Sequence, residues 1–285
     1  MATTFNNVQA REIDFVTRFS DSWKALIDLL QISNAVKKAP GTTLRNFTTK
    51  TVLAESVDAG KDITASTVEL TEVDVEDITL EKYLKTVTIE DVAKYGAEIA
   101  IQKTDDAFLN ELQTNAITKW YSILKKGTLT GSKTTWQAAI AGAVGLVVNK
   151  FASINKSASA VVAFVNTLDA YNYLGTANIT VQIQSGLKYI QNFIGADVVI
   201  LSDKVEQGTV YATPAENIVL YYVDPSESDF AKLGLEFTVE GATNLIGFHA
   251  NGNYSNATGE SYALTGVTLW AEYLDGIAAV TVAGE

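Results

Sequence analysis

The stretch from Thr88 to Gly127 constrains the fold most, because it reads as one long helix interrupted once. Thr88 and Asp91 form an S/T-x-x-D/E start signal, in which a side-chain oxygen caps free amides at the helix entrance. Gly96 ends or kinks the first segment, TIEDVAKY, and Gly127 is the expected stop of the second, AEIAIQKTDDAFLNELQTNAITKWYSILKK. Phe108, Leu112, Asn115, Ala116, Lys119 and Ile123 follow helical spacing, and the apolar members form a stripe that must find a partner surface.

The chain has 285 residues, enough for one large domain or two moderate ones, and its 47% hydrophobic content supplies a core. A net charge of −12 argues against a surface dedicated to gripping nucleic-acid phosphates. Cysteine is absent and histidine occurs once, which removes disulfides and thiolate metal sites and leaves little for other metal chemistry. The N-terminus, MATTFNNVQAREIDF, lacks a basic region followed by an apolar run, so no secretory signal is expected. No run of about 18 apolar residues occurs, so no membrane span is expected. Pro40, Pro214 and Pro225 are the only prolines, and no Pro-rich or Ser-rich linker divides the chain.

Taken in order, residues 8 to 32 carry Val16, Phe19, Trp23, Leu26, Ile27 and Leu30 at helical steps. This amphipathic helix docks either on its own domain or on a neighbouring subunit. After Pro40-Gly41, residues 44–56 and 67–80 read as strands joined through VDAGKDITAS, a long hairpin with a Gly, Asp and Ser tip. At about 3.3 Å per residue such strands reach some 40 Å, too far to hide on one small domain.

Charge is segregated here. Residues 1–50 hold seven bases and four acids, a net of +3, whereas residues 51–98 hold four bases and twelve acids, a net of −8. Strict alternation puts Glu72, Asp74 and Glu76 on one strand face and Val73 and Val75 on the other. Three like charges on one face repel unless water or a basic surface meets them. That surface would belong to another subunit, because a two-stranded hairpin is marginal alone in water.

Beyond the long helix, Trp136 to Phe151 reads as a core helix and GTLTGSKTT before it as a surface turn. SAVVAFVN is a buried strand, TLDAYNYLG a short capped helix, NITVQI a strand, GLKYIQNFI a helix and ADVVILS a strand. Residues 208–223 add two strands, and LEFTV, NLIGFHANGNY, YALTGVTLWAEYLD and GIAAVTV carry further strand signals, with Asp275-Gly276 as a tight turn. The long helix is the natural cover for these last strands. The alternation is that of an α/β or α+β core.

No catalytic or cofactor-binding pattern stands out. There is no phosphate-binding loop, nucleophile elbow, zinc pair or calcium loop. His249 in GFHANGNY would be a general base only if a fold assembled partners around it. Asp105-Asp106 reads as a helix face ahead of a metal or water-polarising pair. Lys61 at the hairpin tip remains as the amine of an isopeptide bond, with no partner amide identifiable.

The order of parts carries a resemblance: N-terminal helix, long acidic hairpin, long helix, compact mixed lobe, C-terminal strands. With the segments VKKAPGTTL, VTIEDVAKYG, AIQKTDDAFLNELQ, DPSESDFAKLGLEFT, TNLIGFHANGNY and LWAEYLDGIAAVTV, it is similar to major capsid proteins of tailed siphophages of lactococci and related Gram-positive hosts. These have the α+β Hong Kong 97-type fold. The resemblance implies an N-terminal arm at 1–36, an extended loop at 37–87, a peripheral lobe with the spine helix at 88–131 and 251–285, and an axial lobe at 132–250. It implies hexamers and pentamers assembling into an icosahedral shell that encloses double-stranded DNA without sequence-specific binding. A scaffolding protein and a portal are the implied partners, and the arm's start almost at Met1 implies that the scaffold is a separate protein or that there is none. No cofactor, metal, membrane or enzymatic activity is implied, and the location is the virion, with the host cytoplasm during assembly. An encapsulin-like compartment and, more remotely, a hydrolase using His249 are the alternatives. Expected assembly contacts are Trp23, Arg45, Lys50, Lys61, Glu72, Asp74 and Glu76, with Gly96 as a hinge.

Overall fold

The computed structural model describes residues 3–32, 35–63, 65–175, 177, 179–184, 187–240 and 244–283, without the side chains of 3–7, 48–51 and 228–229. Helix α1 spans Thr3–Leu29, strand β1 Ala35–Lys37, and the hairpin strands β2 and β3 span Thr43–Val52 and Thr67–Asp77. Strand β4, Glu81–Thr88, runs back from the hairpin to the helix pair α2, Ile89–Tyr95, and α3, Ala97–Leu124. The Thr88 hydroxyl accepts the Asp91 amide as the sequence requires, and Gly96 between the helices has φ +86° and ψ +146°. The remaining elements are β5 (Leu129–Lys133), α4 (Trp136–Ser153), β6 (Val161–Asn166), α5 (Thr167–Leu174), β7 (Gln182–Gln184), β8 (Leu187–Phe193) and β9 (Ala196–Ser202). They continue with β10 (Thr209–Pro214), β11 (Ile218–Tyr222), α6 (Ser228–Ala231), β12 (Ile246–Asn253), β13 (Thr258–Thr265), β14 (Thr268–Ala271) and β15 (Ala278–Val282).

A seven-stranded mixed sheet, in the order β5-β15-β10-β6-β9-β8-β7, forms the centre. Its strand β6 is buried throughout because both faces are covered. Val161, Ala163 and Val165 join the core under α4 with Ile140, Ala143 and Phe151. On the other face, Phe164 meets Trp120 and Tyr121 of α3 edge-on, with ring centroids 6.1 and 5.9 Å apart. Strands buried on both faces read as continuous apolar runs, which is why SAVVAFVN was legible. Two three-stranded sheets, β1-β11-β14 and β12-β13-β4, flank the centre; α3 packs on β14 and α1 on β12.

Several expectations change. GLKYIQNFI is strand β8, not a helix, because it pairs antiparallel with β9 from Lys188↔Leu201 to Phe193↔Ala196. The apolar positions of so short a run satisfy either period, and the available sheet edge decides. GTLTGSKTT contains edge strand β5, parallel to β15, instead of a surface turn. LEFTV is not a strand of any sheet among the described residues and contributes the isolated bridge Thr238↔Phe248. Strand β4 was hidden inside the range expected for a loop. The α3 stripe keeps Leu112 and Ile123 but is carried by Leu109, Trp120, Tyr121 and Leu124 as well, while Lys119 pairs with Glu81 at the surface. The helix stops at Leu124, and Gly127 serves a close approach instead, since a Cβ there would lie 2.7 Å from Ile277. The sheets also cut across the expected lobe ranges: β15 belongs to the central sheet, and β12 pairs with β13 across the 250/251 boundary.

Candidate assembly surface

The hairpin is built from ten cross-strand pairs, Thr43↔Asp77 at its base and Val52↔Thr67 at its far end. Its register slips once: Asn46 faces Asp74, but Phe47 faces Glu72, so Val73 is the extra residue of a β-bulge. A bulge inverts the alternation beyond it. Glu72 therefore does not share a face with Asp74 and Glu76, which corrects the strict alternation expected from sequence. Arg45, on the same face as Glu72, donates to it at 2.8 Å.

The opposite face at the base is turned to the body of the subunit. Leu44 and Asn46 are buried, and the Asn46 amide donates to the Ala271 carbonyl at 2.8 Å. Asp74 on that face accepts from Lys126, beyond the end of α3, at 2.7 Å, and the charge of Glu76 acts on Lys119 of α3. The basic surface expected on another subunit is thus in part this chain's own.

The inversion has a second effect. Phe47, Val68, Leu70 and Val75 come to lie on the face turned away from the body. Leu70 is 62% exposed, and beyond the last pair Leu53 is 78% and Ile63 88% exposed. Cover from the body falls off with distance from the base, Phe47 and Val75 being 41% and 45% exposed. Lys61, at the tip, is exposed and pairs with Asp58 at 3.8 Å. Lys50 pairs with Glu69 through the backbone, and its side chain lies outside the described residues.

Trp23 is not at this surface. It is 2% exposed, packed within the chain's own core beside Phe19. Helix α1 docks in cis: Phe15 stacks on Phe248 of β12 at 4.1 Å, and Glu12 is buried, accepting from the Ala250 amide and the Thr238 hydroxyl at 2.6 Å each.

Sequence reasoning missed the polar fastening of this helix. Buried Asp105 of α3 accepts from the Arg11 guanidinium at 2.6 and 2.7 Å and from Lys85 of β4, while Arg11 reaches Ser261 of β13 at 2.8 Å. Burial alone would raise the Asp105 pKa, but the bonds from Arg11 and Lys85 outweigh it and hold the group below its ordinary range. Burial lowers Lys85, with Asp105 opposing. Arg11 read as one of several surface charges on a helix, and no local signal paired it with a residue 94 positions away. Asp106 likewise holds Arg18 at 2.6 Å. The acidic pair joins two helices.

Gly96 occupies a region of φ and ψ that essentially only glycine enters. Helix α2 beyond it buries no residue. His249 of β12 has Nδ1 3.6 Å from Glu12 Oε1. Among the described residues no cluster of three His, Asp or Glu side chains is arranged to hold a metal, and no helix is long and apolar enough to cross a membrane.

No protein-family model and no curated protein matches the chain. Solved structures do. It aligns over 90% of its length with 89% of a chain in the capsid of the native GTA particle, with a TM-score of 0.57 and 7% identity. It covers 87% of itself and 85% of a chain in the mature capsid of bacteriophage PhiM1, at TM-score 0.52 and 12% identity. A chain of the holo-SrpI encapsulin complex from Synechococcus elongatus PCC 7942 aligns over 92% of this chain and 87% of its own, at 0.51 and 12%. The chain has the α+β Hong Kong 97-type capsid fold, as its order of parts implied.

Proposed function

We propose that this chain is the major subunit of a phage capsid, assembling as hexamers and pentamers into an icosahedral shell around double-stranded DNA. The observation that carries the reading is the hairpin. It projects about 33 Å over its ten paired residues and carries Phe47, Val68, Leu70 and Val75 on the face its own subunit leaves open. A two-stranded sheet with an uncovered apolar face is not stable by itself in water, so a further subunit is its natural cover. A scaffolding protein and a portal are the partners such assembly uses, first in the host cytoplasm and then in the virion. The net charge of −12 is compatible with enclosing DNA, because the shell confines the polymer and counterions neutralise most of its phosphate.

The likeness to an encapsulin chain favours one second reading, a cargo-loaded protein compartment. Nuclease-protected DNA in purified particles supports the phage shell, and a co-purifying enzyme in place of DNA supports the compartment. Neither reading gives His249 a catalytic role, and His249→Ala is expected to leave assembly intact. Deleting residues 55–66 tests the role of the hairpin. Folded monomers that close no shells are the expected result by electron microscopy, and normal shells refute it.

A further inference from the structure

A cavity of about 660 Å³ opens where the parallel strands β6 and β9 end, level with each other, Asn166 beside Ser202. Their continuations part. Strand β6 runs into α5, whose Ala170 joins the core under α4, whereas β9 runs on to Val205, in the core on the α3 side. In open α/β sheets such a divergence leaves a crevice beyond the carboxyl ends of the strands, and nucleotides bind there. Here Thr167 and Leu168 line the crevice from one connection, Ser202 and Lys204 from the other, and Ile117 and Lys188 from α3 and β8. Its volume is that of a small-molecule site.

The charges in the wall favour an anion. Lys188 is half-buried and has no acidic partner among the described residues, its ammonium lying 5.3 Å from the centre of the Tyr171 ring. Lys204 pairs at 3.3 Å with Asp203, but that carboxylate is 79% exposed against 40% for the lysine, so water screens the acid more than the base. The buried Tyr121 phenol adds no negative charge, because burial pushes its pKa up to about 12. The Thr114 and Thr167 hydroxyls and the Gln207 amide make no side-chain hydrogen bond among the described residues and are free to meet a polar ligand. Ile117, Leu168 and Leu187 supply apolar contact for a ring, and Leu168 is 60% exposed without one. We propose that the cavity binds a nucleoside monophosphate, with Lys188 and Lys204 on the phosphate and the apolar wall against the base. A free nucleotide and a 5′-phosphorylated DNA end both offer this chemistry, and the site does not depend on the shell reading.

Calorimetric titration of the purified wild-type protein with thymidine 5′-monophosphate tests the site. Saturable binding with Kd below about 1 mM is expected. Thymidine, which lacks the phosphate, should bind at least tenfold more weakly, since hydrogen bonds to a charged group are the strong ones. Lys188→Met and Lys204→Met keep the apolar stems and should each weaken the nucleotide at least tenfold while the free variants melt as the wild type does. A 5′-phosphorylated DNA duplex that displaces the nucleotide identifies DNA ends as the source, and a duplex that leaves it bound identifies free nucleotide; both results uphold the site. Absence of saturable binding in that range, thymidine binding as tightly as its monophosphate, or full affinity in either lysine variant overturns it.

Discussion

Replacing Asp105 by Asn tests how α1 is held. The substitution keeps the shape of the side chain but removes the charge that two cations from different elements share. Arg11 and Lys85 keep the hydroxyls of Ser261 and Thr104, at 2.8 and 2.9 Å, and a neutral amide oxygen in place of the carboxylate. Their side chains are mostly covered, with 24% and 12% exposure, so screening by water does not rescue them. Breaking a buried pair by removing one partner costs about 3–5 kcal/mol, and the surviving hydroxyl contacts place this case near 3. The loss should appear as local undocking, because α1 leans on β12 and α3, whereas α4 belongs to the core on the far side of the central sheet. Hydrogen exchange at pH 7 is therefore expected to quicken roughly 100-fold in the α1 amides, at about 1.36 kcal/mol per decade, with α4 unchanged. The pH dependence has a defined sign. The folded pKa of Asp105 lies below its ordinary 3.8, so its stabilisation is complete above about pH 4 and is lost as pH falls through the folded value. The gap in melting temperature between wild type and variant should close in that acid range. Exchange in α1 within about threefold of wild type, or equal acceleration in α1 and α4, refutes the fastening argument.

Gly96→Ala should destabilise the subunit by about 1–3 kcal/mol in urea titration, because the backbone there suits glycine alone even though nothing obstructs an added methyl. If the spine bends at this point during maturation, the same variant should alter the expansion of assembled particles measured by electron microscopy. For Asp224, burial raises the pKa, but bonds from the Ser226 hydroxyl and amide, Lys37 and Asn244 outweigh it and hold it at about 2. Asp224→Asn should therefore cost about 1–2 kcal/mol at pH 7, discounted for the half-exposed Lys37, with the difference in denaturation midpoint vanishing between pH 3.8 and about 2.

Much of the fold was legible because its signals are local. The cap at Thr88, the break at Gly96 and the apolar run of β6 each depend on a few neighbouring residues, and each stands where the sequence puts it. Of the surface proposed for assembly, the hairpin and its acidic character were legible, but not its faces. Trp23 was assigned to an interface because an amphipathic helix does not reveal whose surface its stripe meets. Asp105 was read as part of a helix face for the same reason: its partners are contributed by α1 and β4, and no periodicity links them.

By itself, the sequence determined the order of parts, the presence of the hairpin and of the interrupted spine, and the exclusion of thiol chemistry. Tertiary structure decided which way each part faces. The extra residue at Val73 turned the apolar side of the hairpin outward, the free edge of β9 made a strand of Leu187–Phe193, and the surface formed by α3, β4 and β12 held α1 in cis. Backbone period and capping are settled within a few residues. Register, edge pairing and ion pairing are settled by groups that meet only after the chain has folded.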